Sequence, residues 1–213
     1  MTIHGRAPTA SNPAETDGTA GADSALARNQ AARRRRVLEA ALRLAAEGGF
    51  AAVQMRDVAA EANVALGTVY RYFSSKERLL LEANIEQIRG LEERLRRRPP
   101  SGATAADRVV EVLRRANEAL QRAPEVTGAM VRAIGQAAPA EADAVREVTG
   151  GMTAIILGAM GSEKPSEEEL VVARTLQLTW FSGLIGWVGG VDPPGRVTTD
   201  LVAATRLLLG DHR

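Results

Sequence analysis

The stretch MRDVAAEANVALGTVYRYFSSKERLL, Met55 to Leu80, constrains the fold more than any other part of the chain. It reads as a short helix, a tight turn, a second short helix and the start of a third. Val58 and Ala59 give the first helix an inward face. Asn63 tolerates left-handed backbone and so suits the turn. Val64 is the small apolar plug that such a turn needs inside. The helix from Leu66 to Phe73 is aromatic and basic, and few of its residues fit a core; Phe73 is the one that reads as core. Ser74 or Ser75 caps a long helix that runs to about Arg98, where Pro99-Pro100-Ser101-Gly102 ends it.

The flanking sequence has the same character. Ala31 to Glu47 places Val37, Leu38, Ala41, Leu42 and Ala45 on one helical face, and Gly48-Gly49 ends it. Beyond the long helix come Thr104 to Arg122, Glu125 to Gln136, a helix of 140–160 opened by Pro139, Glu167 to Val188 capped by Ser166, and Arg196 to Leu209. Aromatic residues are only 3 % of the chain while apolar residues are 45 %. That balance favours helix over sheet, since β-branched and aromatic residues are what pack on a pleated surface. The expected fold is all-α, with about nine helices and no strand. Residues 1–30, rich in Gly, Ala, Pro, Thr, Ser and Asp, are expected to be a disordered tail. A head of 31–91, with its helix-turn-helix at 54–73, precedes a second domain of 92–213.

Charge separates along the chain. Residues 28–80 hold ten Lys/Arg against five Asp/Glu, whereas 99–213 hold eleven against fourteen. Positive potential thus gathers where phosphates would be met. A basic head beside an exposed helix preceded by a tight turn is what entry into the DNA major groove requires. Leu66 and Gly67 let backbone come close, and Leu66 suits a thymine methyl. Thr68 suits a phosphate or a base edge. The rings of Tyr70 and Tyr72 suit the groove wall, and their hydroxyls reach phosphates. Arg71 carries the planar fork that fits guanine. Arg56 reaches a neighbouring base or phosphate. Arg33 and Arg34, within the run Arg33–Arg36, neutralise phosphates. Lys76 stands at a helix start that already favours anions.

The segment GGFAAVQMRDVAAEANVALGTVYRYFSSKERLL resembles the N-terminal pattern of the TetR family of bacterial repressors over roughly residues 31–91. The resemblance implies a three-helix DNA head with its helix-turn-helix from Gln54 to Phe73. It implies DNA contacts from Thr68, Tyr70, Arg71, Tyr72 and Lys76, and a dimer built from the last two helices. AVQMRDVA, ANVALGTVYRYF and the C-terminal LQLTWFSGLIGWVGG and LVAATRLLLG are similar to the cholesterol-catabolism repressors of actinobacteria. Those respond to steroid-derived coenzyme A thioesters.

A ligand pocket and a dimer face are therefore expected in the second domain. Met130, Ile134, Met152, Ile155, Ile156, Trp180 and Leu184 are the expected pocket residues, since methionines adapt to an oily ligand. Leu176, Gly183, Trp187, Leu201, Thr205 and Leu208 are the expected dimer residues, with Gly183, Gly186 and Gly189 allowing close approach. The expected partners are a palindromic operator in double-stranded DNA, a small hydrophobic effector and a second copy of the chain. No cofactor, metal or membrane is expected, and the expected location is the cytoplasm. There is no cysteine, and His4 and His212 both lie near the termini. No nucleophile is placed beside a base, so no catalytic residue is expected. The alternatives are a regulator of the same family with a different effector class and an architectural DNA binder.

Overall fold

The computed structural model describes residues 17–210, with side chains from residue 27 onward. Nine α-helices and no strand occur among these residues. They are α1 (Asp17–Ala52), α2 (Met55–Glu61), α3 (Leu66–Tyr72), α4 (Lys76–Arg97), α5 (Ala105–Gln121), α6 (Pro124–Gly135), α7 (Ala142–Met160), α8 (Glu167–Val188) and α9 (Pro194–Leu209). A 3-10 turn at Pro139–Glu141 leads into α7.

Local chemistry sets most of these boundaries. α1 is broken at Gly48-Gly49, where Gly49 takes a φ of 63° that side chains disfavour. Asn63 takes the left-handed turn between α2 and α3, at φ 52°. The Ser75 hydroxyl accepts the Arg78 amide at the start of α4. Thr104 with Asp107, and Ser166 with Glu169, form reciprocal capping boxes at α5 and α8. Pro124 opens α6 where an N–H has no partner to lose.

One boundary differs from the sequence reading. α1 begins at Asp17, so 17–30, expected as tail, continues the helix. No proline lies in that stretch to stop the helix. The remainder of the expected tail, and both histidines, lie outside the described residues.

Two apolar cores share the middle of the molecule. Val37, Ala41, Val53, Val58, Val69, Phe73, Leu79 and Leu80 bury the head. Leu81, Ile85, Val109, Leu113, Ile156, Leu176 and Leu201 bury the body. α4 feeds both, with Leu80 in one and Leu81 in the other. α6 also crosses over, placing Val126, Ala129, Met130 and Ala133 in the head core. Each fully buried Val, Leu, Ile or Phe side chain among them contributes about 1.5–3 kcal/mol. The boundary expected at 91/92 thus falls inside α4, and head and body are welded through α4 and α6. A push on either helix reaches both cores.

Candidate functional site

α3 divides into two faces. Val69 is fully buried, and Phe73 just past its end is 1 % exposed, so both anchor the helix. Tyr70 is 52 % and Leu66 37 % exposed, and Gly67 and Arg71 also face out. A Cβ at Gly67 would meet nothing within 4 Å, so the helix start is open to an approaching partner. Thr68 and Tyr72 are half-buried. The Tyr72 ring lies 5.5 Å from the Arg71 guanidinium and 6.2 Å from the Phe73 ring, so it props the exposed fork.

Other expected contact residues divide between outside and inside. Arg33, Arg56 and Gln54 are exposed. Gln54 spends its amide N–H on the Ala51 carbonyl at 2.9 Å. Lys76 folds back onto the Phe50 ring at 4.0 Å, with its Nζ 3.5 Å from the Phe50 carbonyl. Arg34 does not join the outer basic face. Its guanidinium pairs with Glu82 at 2.5 Å and Glu86 at 3.5 Å, and lies 5.4 Å over the Phe73 ring. Four consecutive arginines on a helix span 300° of arc, so one of them must turn inward.

A cavity of about 760 Å³ lies beneath the head, between α1, α4, α5, α6, α7 and α8. Met130, Ile134, Met152, Trp180 and Leu184 line it. Ile155 and Ile156 do not; they pack in the body core one turn further along α7. Residues three and four apart share a helix face but are displaced about 5–6 Å along its axis, so Met152, with Val148 a turn before it, reaches the cavity while Ile155 and Ile156 lie a turn further on. Leu38 and Leu42 of α1, Ile88 and Leu91 of α4, and Ala116 and Leu120 of α5 complete the apolar wall. The sequence reading missed these because their apolar face also reads as ordinary core. Asn117 was missed as well. It is fully buried, donates to the Thr198 hydroxyl at 2.7 Å, and accepts from the Trp180 indole at 3.3 Å. Its place among Leu113, Ala116 and Leu120 on an otherwise apolar face was the available signal.

The expected dimer residues also need correction. Leu176, Leu201 and Thr205 are at most 2 % exposed and pack within the subunit, so they offer no surface to a second copy. Gly183 is where Val197 of α9 comes close, 3.2 Å from a built Cβ. Its small size serves the α8–α9 contact. Trp187 is half-buried, and Leu208 is 36 % exposed. The outward apolar face of these helices is instead Val171, Leu178, Ile185 and Leu207, at 57, 61, 49 and 85 % exposure.

The head–body seam is polar. Glu141, 6 % exposed, accepts the Ser74 and Ser75 hydroxyls at 3.2 and 3.1 Å. Arg78 donates to Glu82 and to both Asp143 oxygens at 2.9 Å. The Arg78 hydrogen bond, with the Ala144 amide behind it, holds the Asp143 carboxyl below the usual carboxylate range. Among the described residues no cluster of His, Asp or Glu is arranged to hold a metal, and no helix is long and apolar enough to cross a membrane.

Residues 37–83 match the family described as bacterial regulatory proteins, tetR family, and 102–208 match the tetracyclin repressor-like C-terminal domain. The chain belongs to the TetR family. It is 38 % identical to the HTH-type transcriptional repressor KstR of Rhodococcus jostii, over 91 % of this chain and 90 % of that one. It is 37 % identical to KstR of Mycobacterium tuberculosis, over 86 % and 83 %. The crystal structure of a TetR transcriptional regulator from Rhodococcus sp. RHA1 superposes with a TM-score of 0.79 at 35 % identity, covering 87 % of this chain and all of that one. TetR membership accounts for the arrangement of a helix-turn-helix head on an all-helical body.

Proposed function

We propose that this TetR-family chain is a dimeric transcriptional repressor that reads a near-palindromic operator and is released by a small hydrophobic effector. The observation that carries the reading is the split of α3, with Val69 and Phe73 locked inside and Leu66, Gly67, Tyr70 and Arg71 turned to solvent. A helix held by one face and bare on the other can be received by a major groove without unfolding. Arg71 reads guanine, Leu66 meets a thymine methyl, and Thr68, Tyr70 and Tyr72 set register on the backbone. Arg33 and Arg56 add phosphate contacts, and Gln54 stands ready at the start of α2. Lys76 swings from Phe50 to a phosphate at the α4 N-terminus, where free amides already favour an anion.

Two copies pair through Val171, Leu178 and Ile185 of α8 with Leu207 and Leu208 of α9. Burying that exposed apolar strip favours an isologous two-fold contact. It spaces two heads by about one helical turn, 34–36 Å, or more. The effector occupies the cavity against Met130, Ile134, Met152, Trp180 and Leu184. Likeness to KstR supports a steroid or acyl coenzyme A thioester as its class. Effector binding favours a head position that cannot span successive grooves, and by linkage DNA weakens effector binding equally. The protein acts where the DNA is, in the bacterial cytoplasm.

The test is selection of bound fragments from a duplex library, followed by footprinting at physiological salt. A single protected near-palindrome per dimer is the expected result. Affinity that depends on salt but not on sequence would show an architectural binder instead. Retention of the operator at saturating levels of every steroid and acyl thioester tried would remove that effector class.

A further inference from the structure

We propose that Arg34 is a positioning residue, which couples occupancy of the cavity to the placement of α3 and makes no contact with DNA. The proposal rests on reading the cavity as the effector site. The sequence places Arg34 three, four and seven residues before Val37, Leu38 and Ala41, all buried, so it shares their inward face. Its neighbours Arg33, Arg35 and Arg36 are exposed, Arg35 at the cavity rim. Arg34 belongs to α1, the first helix of the head, yet it lines the cavity together with Leu38 and Leu42. The head therefore supplies part of the wall that an effector touches.

From that wall two contacts lead to α3 and its frame. One is direct, since the guanidinium lies over Phe73, the residue that ends α3 and seats it in the core. The other passes through Glu82, which Arg34 shares with Arg78. Arg78 in turn holds Asp143 at the start of α7, and its amide is capped by Ser75. Glu141 holds the Ser74 and Ser75 hydroxyls from the body side. A molecule that displaces Arg34 must break a 2.5 Å ion pair and the ring contact, or carry α1 with it. Either outcome changes how Phe73 is held. A chain of contacts is a route and not yet a coupling, so the decisive measurement is a cycle.

Duplex fragments enriched by the unaltered protein from a random-sequence library serve as the operator. Ile134→Trp and Thr149→Trp each put a large ring into the cavity in place of an effector. In the unaltered background at least one filled variant is expected to weaken operator binding about tenfold or more, within the usual span of coupling between sites. In an Arg34→Met background the same filling is expected to change affinity by less than about twofold. The slope of log affinity against log salt is expected to be the same with and without Arg34→Met, whereas loss of a phosphate contact lowers it by about one. Arg34→Lys keeps the charge without the planar fork, and is expected to lose the coupling too. Circular dichroism and thermal melting establish which variants fold. If Arg34→Met does not, Glu82→Gln cuts the same pair from α4 and must show the same loss of coupling. Equal weakening by filling in both backgrounds, or a slope reduced by one, overturns the proposal. If neither folded filling variant alters operator binding in the unaltered background, the cavity reading itself falls and the coupling falls with it, a pattern distinct from equal weakening in both.

Discussion

Replacing Asn117 by Leu tests whether the buried polar knot behind the cavity is a real structural bond. Asn117 has no solvent exposure, and Trp180 beside it has 5 %. Leucine keeps the four side-chain heavy atoms of asparagine and their branching at Cγ, so the substitution replaces the polar atoms without shortening the side chain. The Trp180 indole N–H then loses its buried acceptor, 3.3 Å away. An orphaned buried donor costs about 1–3 kcal/mol. The long bond places this one in the lower half, about 1–2 kcal/mol. Thr198 loses the 2.7 Å bond from Asn117 but is only half-buried, so its hydroxyl finds water at small cost. For a chain of this size the melting temperature should fall by about 2–4 °C per kcal/mol. Urea unfolding at one fixed protein concentration is the assay, because a dimer's stability depends on concentration. Adding Trp180→Phe removes the orphaned donor. The pair should therefore be less destabilised than the sum of its singles by about 1–2 kcal/mol. Additivity to within about 0.5 kcal/mol would refute the argument.

Further outcomes are expected elsewhere. Arg71→Ala should cost about 1–3 kcal/mol of operator binding and relax the preference at one base pair, with no change in melting temperature; fluorescence anisotropy over a panel of substituted operators measures both. Leu178→Glu with Ile185→Glu should yield a monomer by light scattering while leaving helicity intact, and a dimer that persists would move the interface off α8. Asp143→Asn should lower the melting temperature at neutral pH. Because Arg78 depresses the Asp143 carboxyl, its contribution is complete above the unfolded carboxylate range near pH 4 and is lost as pH falls through the lower folded value. The gap between variant and unaltered protein should accordingly close on acidification. A gap independent of pH would mean that the ion pair is not its source.

The reading of the sequence succeeded where a residue's role depends on its nearest neighbours along the chain. Asn63 at a positive φ, a cap at Ser74 or Ser75, Ser166 as a cap, Pro124 as a helix opener and the inward Phe73 all follow from local backbone chemistry or from residue type. It failed where apolar residues of one helix differ only in what they touch. On α7, Met152 and Ile155 are alike in hydrophobicity, and only their neighbours separate cavity from core. On α8 and α9, Leu176 and Leu178 differ in nothing but direction, and Leu201 and Leu207 likewise. The first of each pair is buried inside the subunit, and the second is exposed.

Spacing and residue type alone determined that the chain is helical, where most helices stop, which helix is bare and basic, and that the head is the positive end. The tertiary structure decided that Arg34 folds over Phe73 and onto Glu82, that α1 walls the cavity, and which leucines reach the surface. The reason is one of range. Caps, turns and periodicity act over four or five residues, whereas a wall drawn from six helices exists only once residues as distant as Leu38 and Leu184 have been brought together.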